Sequence, residues 1–104
     1  MKISEQKKEK ISEQILAFLY SVSPRALFTL NISQEIARDE EFVKTLLLTL
    51  KKKELVVEIK KSPKGIPYSR RSRWKLSDSA YMAYKKHQNE QNEQEQKIVS
   101  NNYT

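Results

Sequence analysis

The chain has 104 residues, 38% hydrophobic and 32% charged, which allows one small domain with a single core and a densely charged surface. Its net charge of +7 is uneven: residues 1–87 carry +9 and residues 88–104 carry −2, a balance suited to a polyanionic partner such as nucleic acid. The absence of cysteine excludes a disulfide framework and a thiolate zinc site, and no apolar run approaches the roughly 20 residues needed to span a bilayer.

The N-terminal stretch Met1–Lys8 is polar, unlike a secretory signal, so the expected setting is the cytoplasm with no membrane association. The first periodic segment runs from about Glu5 to Val22, where Ile11, Ile15, Phe18, Leu19 and Val22 form one apolar helical stripe. Ser23-Pro24 ends it, because proline disfavours helical geometry in the residue before it. Phe28-Thr29-Leu30 reads as a short extended segment, and Asn31 or Ser33 then caps a short helix that ends near Arg38. Asp39 is a natural N-cap for a third helix ending near Lys53, with Glu40 and Glu41 favourably placed in its first turn. Val43, Leu46, Leu47 and Leu50 cluster on one side of that helix, and Thr45, Leu48, Thr49 and Lys52 lie on the other.

Leu55–Ile59 and Ser72–Leu76 both alternate, and Ser62-Pro63-Lys64-Gly65-Ile66-Pro67 turns the chain between them, which predicts a β-hairpin with one apolar and one charged face. Its distal part carries Lys60, Lys61, Lys64, Arg70, Arg71, Arg73 and Lys75 and no acid. Like charges repel, so this density does not serve the fold; it suits a phosphate backbone. In a regular strand Arg71, Arg73 and Lys75 share one face, and Arg70 lies with Ser72 and Trp74 on the other. Ser77 then caps a fourth helix, with Asp78 in its first turn and Ala80, Tyr81, Tyr84 and Gln88 along its inner stripe. Residues 1–87 form the expected domain; residues 88–104 are a Gln/Asn/Glu-rich tail, either a helical extension or disordered.

The order helix, short strand, helix, helix, hairpin, helix resembles the winged helix-turn-helix superfamily over roughly residues 11–87. The resemblance is carried by Val43, Leu47 and Leu50 running into Glu54-Leu55-Val56, by Glu35-Ile36-Ala37 in the second helix, and by Trp74-Lys75-Leu76-Ser77 at the exit from the wing. The sequence is most similar in tone to small archaeal or viral regulators and to the MarR and PadR groups. The resemblance implies an α+β, mostly α fold: a three-helix core, a two-stranded basic wing plus a short first strand, and a C-terminal helix. Two positions depart from it. Glu54 stands where glycine is common, so a different helix exit is expected, and Asp39-Glu40-Glu41 would oppose approaching phosphates in the usual docking pose.

The resemblance and the charge map together imply a small transcriptional regulator that binds double-stranded DNA. Lys60, Lys61, Lys64, Arg70, Arg71, Arg73 and Lys75 grip phosphates in this reading, with Tyr68 exposed near the hairpin tip as a further contact. Lys44, Thr45, Leu48, Thr49 and Lys52 enter the major groove, with Ser33, Gln34 and Lys51 as backbone contacts. Trp74 reads as a core anchor behind the wing rather than a base-stacking platform. Tyr81 and Tyr84 read as core or dimer contacts, and winged-helix regulators often form homodimers through first and last helices. The alternatives are a protein-interaction winged helix within a larger complex, with Leu48 and Phe42 in its docking face, and nonspecific DNA or RNA binding. An enzyme, a metal site and a cofactor are not expected, since His87 is the only histidine and Gly65 the only glycine.

Overall fold

The structure is a computed structural model that describes residues 3–102, with side chains through residue 91. Helix α1 (Glu5–Val22) is followed by strand β1 (Leu27–Phe28), α2 (Thr29–Ile36), α3 (Glu40–Lys52), β2 (Val56–Ile59), β3 (Arg73–Leu76) and α4 (Asp78–Asn102). The three strands form one antiparallel sheet in the order β1-β3-β2. No helix among the described residues is long and apolar enough to cross a membrane.

Helix α1 follows its apolar stripe: Ile11, Ile15 and Leu19 are buried, and Leu16, which the sequence stripe omitted, joins them. Ser4 caps it by accepting from the Lys7 N–H at 3.2 Å. Val43, Leu46, Leu47 and Leu50 of α3 close over Ile32 of α2 and the buried inner residues of the sheet, Val56, Trp74 and Leu76. Trp74 is fully buried and its indole Nε1 donates to Thr29 Oγ1 at 2.9 Å, so the core-anchor reading holds and the indole is occupied within the fold.

The segment expected to be extended at Phe28-Thr29-Leu30 is shorter and earlier, since β1 ends at Phe28 and α2 begins at Thr29. Asn31 does not cap α2 from before its start. It sits in the first turn, and its Oδ1 accepts from the Phe28 N–H at 3.2 Å, satisfying the entry from inside the helix. Asp39 caps α3 as expected, its Oδ2 accepting from the Phe42 N–H at 3.1 Å.

Both α2 and α3 end in a left-handed residue that is not glycine: Ala37 with φ 55° and Glu54 with φ 61°. After α2, Ala37 N–H donates to Gln34 O and Arg38 N–H to Ser33 O. After α3, Glu54 N–H donates to Lys51 O and Leu55 N–H to Leu50 O, both at 3.0 Å. These are the paired bonds of a Schellman ending, which satisfy the last helical carbonyls. The helix exit at Glu54 is therefore the glycine-type exit after all, because the backbone bonds outweigh the cost of a side chain there.

The hairpin departs from the expected regular ladder in two ways. Its faces are not divided into apolar and charged. Val56, Glu58, Trp74 and Leu76 lie on one face by register, while Val57, Ile59, Arg73 and Lys75 lie on the other. The return strand is also interrupted. Lys61 pairs with Pro67, so a regular ladder would set Ile59 opposite Ser69, but Ile59 pairs with Arg73. Ser69–Ser72 therefore leave the ladder as an enlarged bulge, so Arg70 and Arg71 are placed by their own contacts rather than by strand alternation.

Helix α4 starts with Ser77 Oγ accepting from the Ala80 N–H at 3.2 Å. Tyr81 and Tyr84 pack on Tyr20 of α1, with ring centroids 5.5 Å apart in each pair, so both engage the chain's own core. Burial and the nearby Glu13 carboxylate push the Tyr84 phenol above its ordinary value. Gln88, expected on the inner stripe, is exposed, while the helix backbone runs on to Asn102. Tyr103 and Thr104, the end of the sequence's polar tail, lie outside the described residues.

Candidate nucleic-acid interface

Helix α3 has two distinct edges flanking its exposed ridge. Lys44 lies on the edge toward the hairpin, in a cleft of about 320 Å³ that also takes in Phe28, Trp74, Arg70, Arg71, Glu40 and Glu41. Lys51 lies on the same edge about two turns later, with its Nζ 2.8 Å from Glu58 Oε1. Leu48 and Lys52 occupy the ridge, both exposed.

Thr45 and Thr49 are exposed as well and lie on the other edge of that ridge, away from Lys44. They line a groove between α3 and α1 together with Glu5, Glu9 and Glu13, three carboxylates one helical turn apart, and with Lys8 and Lys53, of which Lys8 pairs with Glu5 at 3.4 Å. Their hydroxyls donate to carbonyls one turn back, Thr45 Oγ1 to Glu41 O at 3.0 Å and Thr49 Oγ1 to Thr45 O at 3.2 Å. The mixed-charge flank and the occupied hydroxyl protons set these residues apart from the edge that carries Lys44 and Lys51. Ser33 is buried, its hydroxyl donating to Leu30 O at 2.9 Å, which withdraws it from the expected backbone contacts; Gln34 remains exposed.

The wing cations divide by what they touch. Arg71 stacks over Phe28, its guanidinium carbon 4.4 Å from the ring centroid, and lies 5.4 Å from the Tyr68 ring. Arg73 approaches the same Tyr68 ring at 5.8 Å, and its Nη2 donates to Lys61 O at 3.2 Å across the hairpin. Arg73 Nε is buried with no hydrogen-bond partner. Tyr68 meets Phe28 edge to face at 5.3 Å and is half-buried, so it is a brace between wing and β1 rather than the exposed residue expected at the tip. Lys60, Lys61, Lys64 and Arg70 are exposed, and Lys75 is half-buried opposite Val57.

Glu58 organises the junction of wing and helix. Besides Lys51, it accepts from Ser72 Oγ at 2.6 Å, and Lys60 Nζ stands 4.0 Å away. Burial works to raise its pKa, but the hydrogen bonds from Lys51 and Ser72 and the charges of Lys51 and Lys60 prevail and hold it below the ordinary value. The sequence offered a signal for this residue, a lone acid beside a dense cationic run. Its alternation with Val57 and Ile59 places it instead on the charged face expected of the hairpin.

No protein-family model and no curated protein matches the chain. Among solved structures it is similar to a MepR mutant from a multidrug-resistant Staphylococcus aureus clinical isolate, at 22% identity and a TM-score of 0.59 over 70% of this chain and 50% of that one. The chain thus spans half the length of that structure. It is also similar to the S. aureus MepR–DNA complex, at 22% identity and a TM-score of 0.62 over 94% of this chain and 64% of that one. A third similar structure is Lactococcus lactis ZitR, a mutant in apo form, at 19% identity and a TM-score of 0.59 over 95% and 74% of the two chains. Four helices around a three-stranded antiparallel sheet, with a basic hairpin after the third helix and these structural likenesses, give the chain the winged helix-turn-helix fold.

Proposed function

We propose that the chain binds duplex DNA as a small transcriptional regulator, acting by occupancy rather than catalysis, and that it works in the cytoplasm. The observation that carries this reading is the gathering of cations from α3 and the wing: Lys44, Arg70 and Arg71 outnumber Glu40 and Glu41 in one cleft, and Lys52 on α3 and Lys60, Lys61 and Lys64 on the hairpin are exposed. Similarity to a structure described as a MepR–DNA complex supports the same reading.

In this pose Lys44, on the hairpin-side edge of α3, and the ridge residues Leu48 and Lys52 enter the major groove, and Lys60, Lys61, Lys64 and Arg70 meet phosphates. Arg71, Arg73 and Tyr68 hold the wing against β1, and Lys51 ties it to α3. Glu40 and Glu41 line the same cleft as Lys44, Arg70 and Arg71, so the carboxylates of the helix start have cations in their neighbourhood. A homodimer through α1 and α4 belongs to this proposal. Its support is that α4 continues to Asn102, several turns past Tyr84, its last core contact among the residues with described side chains.

Fluorescence anisotropy with a random duplex of about 30 base pairs, titrated across salt, tests the reading. Neutralising about four to six phosphates gives a slope of log K against log salt of roughly −3.6 to −5.4. No binding even at low salt overturns duplex recognition and moves the interface to a protein partner.

A further inference from the structure

We infer that the wing tip is an apolar wedge for the DNA minor groove, in which Ile66, flanked by Pro63 and Pro67, opens a base step. This rests on the duplex-binding reading above and adds to it a source of sequence preference that lies outside α3.

Ile66 is 63% exposed, more than any other large apolar residue among those described. A single exposed apolar side chain is ordinary on a protein surface. Its setting is not. Pro63 and Pro67 are exposed near it in the turn, as are Lys64 within the turn, Lys61 bridged to Pro67, and Lys60 just before them. The tip thus combines an apolar point with the densest group of exposed cations in the wing, the composition by which minor-groove binders hold phosphates while an Ile, Leu, Phe, Met or Pro side chain enters the stack.

The tip is also fixed. Ser62 Oγ accepts from the N–H groups of Lys64 at 3.3 Å and of Ile66 at 3.2 Å. Ser62 N–H donates to Ile66 O at 2.8 Å, and Gly65 N–H donates to Ser62 O at 2.8 Å. Gly65 takes φ 82°, a conformation that the only glycine in the chain supplies, and the Lys61–Pro67 bridge closes the turn from below. A side chain carried on so constrained a turn loses little entropy when it is inserted.

The reach is adequate. A strand rising about 3.3 Å per residue carries the chain roughly 20 Å from Val56 to Ser62. Major and minor groove centres on one face of the duplex are separated by about half of the ~34 Å helical turn, roughly 17 Å. With α3 in the major groove, the tip arrives at the neighbouring minor groove.

A wedge and a purely cationic tip have opposite preferences. Cations favour the narrow, strongly negative minor groove of stiff A-tracts, whereas a wedge favours TA and CA steps that unstack at low cost. The test is anisotropy on two duplexes, one containing TA and CA steps and one containing A-tracts, with 2-aminopurine placed beside the flexible steps.

The wild-type protein is expected to bind the flexible duplex about three- to thirtyfold more tightly and to raise 2-aminopurine emission as the step opens. Ile66→Ala should abolish the rise and remove or reverse the preference while the salt slope stays unchanged. Lys64→Ala should do the converse, lowering the slope by about one and keeping the emission rise. Both sites are exposed, and an unchanged thermal midpoint confirms that each variant is folded. Wild-type binding with a normal salt slope but no emission rise overturns the wedge alone, as does an Ile66→Ala variant that retains the rise. Absence of binding to both duplexes overturns the duplex reading and the wedge with it.

Discussion

Lys51 Nζ donates to Glu58 Oε1 at 2.8 Å, so one carboxylate ties the C-terminal turn of α3 to the first wing strand. The Glu58 side chain is only 9% exposed, and the hydroxyl of Ser72 holds its other oxygen at 2.6 Å from the far side of the hairpin. A single acid thereby sets the angle between the proposed reading helix and the proposed grip. It also occupies Lys51, which is consequently a bracing residue in the proposed pose.

Replacing Glu58 with alanine leaves Lys51 and Ser72 without their acceptor and should cost about 1.5–3 kcal/mol in urea denaturation, the range for a hydrogen bond to a charged group. The folded-state pKa lies below the unfolded one, so the contribution of the charge is full above the unfolded value and is lost as pH falls through the folded value. The stability gap between wild type and Glu58→Gln should therefore be widest at neutral pH and should narrow below about 4.5, the group's ordinary value. A gap that stays constant down to pH 3 would contradict the assignment.

Glu54 holds a left-handed backbone at φ 61° that costs a side-chain-bearing residue about 1–2 kcal/mol. Glu54→Gly removes that cost but enlarges the freedom of the unfolded chain, leaving a net stabilisation of about 0.5–1 kcal/mol. A thermal midpoint raised by roughly 2–8 °C is the expected result. Ala37→Gly, at φ 55°, should behave alike.

Thr29 accepts the only bond made by the buried Trp74 indole. Thr29→Val keeps the volume and orphans the N–H, at a cost of about 1–3 kcal/mol. Denaturation followed by the emission of Trp74, the only tryptophan, measures it directly.

The wing arginines should separate in binding assays. Arg70→Ala should weaken binding to all duplexes alike and reduce the salt slope by about one, with stability unchanged. Arg73→Ala should lower stability as well, since its guanidinium bridges to Lys61 O. On α3, Leu48→Ala should alter the ranking of duplex sequences, whereas Thr45→Val and Thr49→Val, whose hydroxyls bond to their own helix, should leave it intact. Threonine variants that flatten the ranking would move the reading face toward α1.

The sequence by itself determined the features that depend on neighbours a few residues away. The 3.6-residue spacing of Ile11, Ile15 and Leu19 placed α1, Asp39 placed the start of α3, and the alternation on either side of Ser62–Pro67 placed the hairpin. The burial of Trp74 was legible too, because it alternates with cations just before the buried Leu76. Only the tertiary structure decided what those elements turn toward one another. Glu58 faces inward because the β2–β3 register sets it beside Trp74, with Lys51 arriving from a different element. Arg71 and Tyr68 rest on Phe28, some 40 residues earlier in the chain, because the bulge at Ser69–Ser72 carries them there. Thr45 and Thr49 meet a groove of mixed charge because α1 packs along that edge of α3. Periodicity constrains which residues share a face of one element; the identity of the opposing face depends on long-range packing that no local pattern encodes.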